Sequence, residues 1–257
     1  MAGKADRAAA TEAVLVWERP ERGTRGPAPE RSREQLTEAA IGLADAGGLA
    51  AVSVRQVARE LGTGPASLYR YVAGRDDLVD LMVDTATGEI DLDAELTGDP
   101  VTDLVALATR TQRVHLRHPW LLEVPPEALR VGPRGLDYLE FALRALEPVA
   151  GLTGPGKLET VAVLNALVAM LSGVELRARR SPTGRQAAQA AYLGAVAGRG
   201  GHPRLAAALA GGAADGPADG AHLGAGDAAG AGAGFERVVR RVLAGLLAPD
   251  PPVPPVR

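Results

Sequence analysis

The chain has 257 residues, a formal net charge of −3, no cysteine, and 46% hydrophobic residues against only 3% aromatic. That length suffices for one large domain or two smaller ones, and a core drawn mainly from Leu, Val and Ala favours helices over strands. The lack of cysteine excludes disulfides, thiolate metal sites and Cys nucleophiles and fits a reducing cytoplasm, while the small negative charge means that any nucleic-acid footprint is local.

Residues 1–30 carry Pro20, Pro27, Pro29, Gly23 and Gly26 with few large apolar side chains, which predicts a flexible basic arm. From Arg19 to Arg33, five arginines (Arg19, Arg22, Arg25, Arg31 and Arg33) outnumber Glu21 and Glu30, a charge balance suited to lying along phosphates or simply to solvation. Met1–Trp17 has too short an apolar run for an export signal. The longest apolar stretch, Val161–Leu171, is interrupted by Asn165 and falls short of a membrane span, so a soluble cytoplasmic chain is expected.

Order begins at Ser32, which with Gln35 forms a capping-box pattern ahead of Leu36, Ala40 and Leu43; Gly47 and Gly48 stop this first helix. Ser53 and Gln56 repeat the pattern ahead of Val54, Val57, Ala58 and Leu61, and Gly62 sits where a helix ends. Pro65 suits the first position of a third helix of about two turns carrying Leu68 and Val72. Gly74 breaks the chain, and Asp76 or Asp77 caps a fourth helix with Leu78, Leu81 and Met82. Residues 31–88 thus form one small helical domain. Longer helices follow over Pro100–His118, Pro133–Leu146, Lys157–Arg180, Arg185–Ala197 and Phe235–Leu247, a bundle filling residues 89–248. Residues 211–234, with nine Gly and nine Ala, read as a flexible loop, and residues 249–257 as a Pro-rich tail.

Helices two and three are joined by Gly62, Thr63 and Gly64, the connection of a DNA-binding helix-turn-helix. With Val57, Leu61 and Leu68 facing inward, Pro65, Ala66, Ser67, Tyr69, Arg70 and Tyr71 are expected to face outward. Hydroxyls of Ser67 and the tyrosines can donate to phosphates, Arg70 can bond guanine bidentately or clamp a phosphate, and Ala66 can touch a thymine methyl. Arg55 sits where helix two crosses the sugar-phosphate backbone, and Arg75 offers a further phosphate contact.

The run Ser53-Val-Arg-Gln-Val-Ala-Arg-Glu-Leu-Gly-Thr-Gly-Pro-Ala-Ser-Leu-Tyr-Arg-Tyr-Val72, followed by Gly74-Arg-Asp-Asp-Leu78, resembles the N-terminal domain of the tetracycline-repressor (TetR) family. Trp17-Glu-Arg-Pro-Glu-Arg22 resembles the leader of a branch with a tetracycline-repressor-like C-terminal domain. The resemblance implies an all-α fold, a three-helix DNA-binding domain ahead of a ligand-binding and dimerisation bundle. It also implies a homodimer on a double-stranded operator, released by a small-molecule effector. Carried over by position, it places DNA contacts at Arg55, Pro65, Ala66, Ser67, Tyr69, Arg70, Tyr71 and Arg75; Val54 stands where a phosphate-contacting Thr can occur.

The broad apolar surface of 157–180, with Leu158, Val161, Leu164, Val168 and Leu171, and the helix over 235–247 are the expected dimer elements. A ligand pocket is assigned to His115, His118, Trp120, Leu164 and Val168. His115 and His118 have a spacing that can hold a metal, but Pro119 ends their helix, and His118 with Trp120 reads as a structural corner, so no metal is expected. Metal-tetracycline repressors use a histidine just before the Pro133 region, where this chain has Pro125, Pro126, Glu127 and Ala128, which argues against a magnesium-tetracycline ligand. No phosphate loop, nucleophile elbow or HExxH motif is present, so neither catalysis nor a cofactor is expected. A helical adaptor without DNA binding and a helical-bundle enzyme are the alternatives.

Overall fold

The computed structural model describes residues 15–19, 32–125, 131–180, 183–199, 201–214 and 228–248, and among them every regular element is helical. By compactness the chain divides into Met1–Glu89 with Glu123–Asp137, and Ile90–Leu122 with Tyr138–Arg257.

In the first unit, Ser32 accepts a hydrogen bond from the Gln35 backbone while Gln35 reaches back to the Ser32 backbone, the complete reciprocal cap expected for α1 (Arg33–Gly47). Leu36, Ala40 and Ala44 recur every fourth residue and are buried. Gly48 ends the helix with φ +74°, a left-handed conformation that suits glycine, and a short 3-10 turn leads to Ser53. Ser53 caps α2 (Val54–Glu60) through the Gln56 backbone at 3.2 Å. Next come α3 (Pro65–Leu68) and α4 (Arg75–Thr87). The third helix is one turn long rather than two, because Tyr69, Arg70 and Tyr71 pass into a turn closed by Tyr71 N–H on the Leu68 carbonyl. The expected cap of α4 also differs. Gly74 occupies the N-cap, and Asp77, three residues on, reaches back to accept from the Ala73 N–H at 2.6 Å.

The leader departs from the expected arm over its described residues. Val16–Glu18 form a 3-10 turn against α4, and Val16 is fully buried. Arg19 meets Asp77 at 2.5 Å, and Arg33 donates to the Arg19 carbonyl at 3.0 Å. An apolar pair followed by an arginine within reach of a helix-start carboxylate is enough to hold five residues in place. Arg22, Arg25 and Arg31 lie outside the described residues, as do Glu127 and Ala128 and the tail over 249–257.

Residues 123–137 complete this unit. Glu123 accepts the Leu49 N–H at 2.9 Å, and Asp84, on α4, accepts the N–H groups of Arg134 and Gly135 at 2.9 and 3.0 Å, capping the start of α6 (Pro133–Ala145). Gly132 leaves no room for a side chain: an added Cβ would lie 2.5 Å from the Asp84 carboxylate and 2.6 Å from the Trp17 ring. Burial raises the Asp84 carboxyl above its ordinary value of 3.8 despite those two donors.

In the second unit, Asp99 caps α5 (Pro100–Arg117), which packs on α7 (Gly154–Arg180) and α10 (Ala228–Leu246). Leu104, Leu107, Ala108, Leu164, Val168, Val239 and Leu243 fill the space between them, and Phe141 of α6 carries the guanidinium groups of Arg144 and Arg110 at 5.6 and 6.0 Å. α7 has 27 residues and, by length and composition alone, is apolar enough to cross a membrane, which the shorter run Val161–Leu171 did not convey. Its stripe of Val161, Leu164, Val168 and Leu171 is buried, whereas Leu158, Val163 and Met170 are exposed.

Two further helices, α8 (Thr183–Gly198) and α9 (Pro203–Ala214), pack on each other. α9 was not expected, and both it and α10 extend into the segment read as a loop: 211–214 and 228–234 are helical, while 215–227 lie outside the described residues. Alanine has the highest helix propensity, so a small side chain limits burial without preventing a helix.

Candidate nucleic-acid interface and ligand site

The link between α2 and α3 is a complete glycine stop. Gly62 N–H bonds the Arg59 carbonyl at 3.1 Å and Thr63 N–H the Ala58 carbonyl at 2.9 Å, with Gly62 at φ +64°. A side-chain-bearing residue is strained there, so the glycine fixes the angle at which α3 leaves α2. Pro65 then starts α3 at the position where its missing N–H costs nothing. Val57, Ala58 and Leu68 are buried between the two helices and set their separation.

This scaffold exposes Pro65, Ala66, Tyr69 and Arg70 on and just after α3, and Arg55 on the first turn of α2. Tyr69 is 54% exposed. One of the outward assignments fails, and a second hydroxyl is already engaged. Tyr71 is 2% exposed, its ring part of the core and beneath the Arg70 guanidinium, whose carbon lies 4.8 Å from the ring centroid. The end of α3 at Leu68 turns the chain, so helical spacing stops predicting direction two residues before Tyr71. Ser67 spends its proton locally, donating to the Gly64 carbonyl at 2.7 Å, and it takes the Thr63 hydroxyl at 2.9 Å. Neither hydroxyl has a proton left for a phosphate in this arrangement. Arg75 is exposed, but its Nε and Nη2 donate to the carbonyls of Val52 and Leu49 at 3.1 and 2.9 Å, so it also fastens the α1–α2 connection to α4.

In the second unit, His118 and Trp120 are buried at the bend between α5 and the 3-10 turn Pro119–Glu123, their rings 6.0 Å apart. Leu164 and Val168 are buried on α7. His115 is half-buried, yet its Nδ1 is closed to solvent with no hydrogen-bond partner, and burial pushes its pKa down to about 4. Sequence reasoning missed the polar groups around these residues. The Tyr138 hydroxyl meets Asn165 at 2.5 Å and Gln112 donates to Glu175 at 2.9 Å, with Arg179 on the other Glu175 oxygen at 2.5 Å. Burial pushes the Tyr138 phenol up to about 12 against the smaller opposing effect of hydrogen bonds with Thr111 and Asn165. Thr111, at the i+7 position from Leu104 on the buried stripe of α5, was the available signal.

Residues 36–82 match the model of bacterial regulatory proteins of the tetR family, and residues 94–248 match the tetracyclin repressor-like C-terminal domain, more than half of the chain. The chain belongs to the TetR family. This is a family of regulators and not of enzymes, in line with the expectation from the missing catalytic motifs. The TetR-family chain is 39% identical over 176 residues to the HTH-type transcriptional repressor DrrR1 of Streptomyces coeruleorubidus, a match covering 68% of this chain and 62% of DrrR1. It is 31% identical over 182 residues to an HTH-type transcriptional regulator of Saccharopolyspora erythraea, covering 69% of this chain and 75% of that one. ActR of Streptomyces coelicolor in complex with actinorhodin has the same fold, with TM-score 0.68 and 24% identity over 85% of this chain and 96% of ActR. ActR in complex with (S)-DNPA gives TM-score 0.66 and 25% identity over 86% of this chain and 98% of ActR. The all-α, TetR-like fold expected from the sequence is thereby shown.

Proposed function

We propose that the chain is a cytoplasmic, homodimeric transcriptional repressor that holds a double-stranded operator through its helix-turn-helix and lets go when a small molecule occupies the C-terminal unit. The observation that carries this reading is the exposure of Pro65, Ala66, Tyr69 and Arg70 on and just after a helix whose departure angle is locked by the Gly62 stop. Ala66 and Arg70 are suited to base edges, Tyr69, Arg55 and Arg75 to phosphates, while Ser67 and Tyr71 hold the reader's shape. The family supports DNA binding, and the actinorhodin complex of ActR supports a ligand of comparable kind in the C-terminal unit, where His115, His118, Trp120, Leu164 and Val168 are the assigned pocket residues. The exposed Leu158, Val163 and Met170 of α7, with α10, supply the face for a second copy.

The test is fluorescence anisotropy of the full chain with DNA from its own promoter region across a salt series. Binding that weakens by about a thousandfold or more from 50 to 200 mM salt is expected from several phosphate contacts that release counterions. Absent or salt-independent binding by folded protein would leave a helical adaptor as the better reading.

A further inference from the structure

Between Arg55 and Arg75 the helix-turn-helix exposes four arginines, and their guanidinium groups are held in different ways. Arg75 has committed Nε and Nη2 to the carbonyls of Val52 and Leu49. The side chains of Arg55 and Arg59, on α2, make no hydrogen bond, ion pair or ring contact among the described residues. Arg70 differs from all three. Its guanidinium carbon lies 4.8 Å from the centroid of the Tyr71 ring, and none of its N–H groups is donated among the described residues, so it has a support and an uncommitted fork together. The support is rigid: Tyr71 is 2% exposed, Leu68 and Val72 in the same turn are buried, and the N–H groups of Tyr71 and Val72 close on the Leu68 carbonyl at 2.9 and 3.2 Å. Stacking on a ring uses the face of a guanidinium and leaves its five donors in the plane. Ordering the long side chain before DNA arrives also removes an entropy cost that an unsupported arginine meets on binding.

Resting on the DNA-holding reading above, we propose that Tyr71, itself too buried to touch DNA, is the positioning residue that sets base specificity: its ring holds the Arg70 fork ready for a guanine, and the operator carries a G·C pair at that step. A planar fork matches guanine O6 and N7, which are both acceptors, whereas adenine sets a donor beside its one acceptor. On a pair that offers the fork no match, the support has nothing to act on, so the ring adds to the affinity for one base pair over another and not to the affinity for DNA in general. Arg55 and Arg75 stay with the phosphates, which carry no sequence.

The test is fluorescence anisotropy of the full chain on DNA from its own promoter region, with each guanine replaced singly by 7-deazaguanine, which pairs normally but lacks N7. One such replacement should weaken binding by the native chain about tenfold, the range of a hydrogen bond left unmade, and should cost less than about twofold in Arg70→Ala, which identifies the guanine that is read. On that guanine Tyr71→Phe should keep the tenfold penalty because it keeps the ring, while Tyr71→Leu should cut it to about threefold or less, in line with the loss of an arginine–ring contact. The slope of affinity against salt should be the same in both variants, since no phosphate contact is removed. A residue that only fills the core would lower affinity for both DNAs alike and leave their ratio unmoved. If Tyr71→Leu does not fold, the Arg70 Nε–H resonance of the unaltered chain decides: it should be displaced by the ring beneath it, and the value of a fully solvated arginine overturns the proposal. A Tyr71→Leu ratio equal to the native one, or a Tyr71→Phe ratio as low as that of Tyr71→Leu, also overturns it. Binding with no Arg70-dependent guanine overturns the proposal and leaves the DNA-holding reading standing, whereas no binding by the folded chain overturns both.

Discussion

Tyr69 and Tyr71 stand two positions apart, yet one is 54% exposed and the other 2%. Replacing Tyr71 by Ala should therefore cost about 3–5 kcal/mol of stability, as for other buried aromatics, seen as a lowered denaturant midpoint. Tyr69→Ala and Arg70→Ala should leave that midpoint nearly unchanged while weakening operator binding about tenfold or more, measured by anisotropy. A pH series probes Asp84. Its folded-state carboxyl lies above the ordinary 3.8, so its favourable contribution is complete below that pH and lost as pH rises through the raised value. The stability advantage of the native chain over Asp84→Asn should shrink from acid to neutral pH, read by thermal melts at each pH. His115 has the opposite sign. With a folded-state value of about 4 against an ordinary 6.5, its contribution is present above 6.5 and lost as pH falls toward 4, and its ring resonances should stay those of neutral imidazole throughout the physiological range.

At the level of elements, the caps of the first two helices and the glycine stop formed as the residues announced them locally. The Ser32–Gln35 box, the Ser53 cap and the Gly62 stop are each built from side chains within three or four positions of the backbone they satisfy, so their spacing alone reveals them. Partners distant in the chain were not legible. Asp77 looked like a cap for its own helix, but it also pairs with Arg19, 58 residues away; Asp84, which no local spacing singles out, caps a helix 50 residues on. Tyr71 was misread for a related reason: direction along a helix can be extrapolated only as far as the helix lasts. The leader offers a direct check. Removing residues 1–19 strips the fully buried Val16, the Trp17 ring beside Gly132 and the Arg19–Asp77 pair, and should lower the melting temperature by several degrees, about 4–8 °C per kcal/mol lost for a unit of this size. Gly132→Ala should act in the same direction by displacing the ring.

For the whole molecule, fold class and family were readable because composition restricts the core to helix formers and because the helix-turn-helix is a contiguous run. The polar pairs of the second unit were not readable, since Gln112, Tyr138, Asn165 and Glu175 come from three helices that tertiary packing alone brings together. The proposed dimer face lies on α7, where Val163 and Met170, seven residues apart, are on the side away from the buried Val161–Val168 stripe. Val163→Glu with Met170→Glu should convert the dimer to a folded monomer by light scattering and greatly weaken operator binding.

The brevity of α3 limits how much text the protein reads. Four residues at 1.5 Å each advance about 6 Å, a little less than two base-pair steps of about 3.4 Å. A single copy can thus tell apart only a handful of neighbouring bases, a word so short that any bacterial chromosome repeats it thousands of times. In the proposed dimer, addressing one promoter then depends on two such words at a fixed distance, set by the two-fold pairing of subunits. Changes that alter the spacing between the paired readers should redirect the protein to different genes as surely as a change at Arg70.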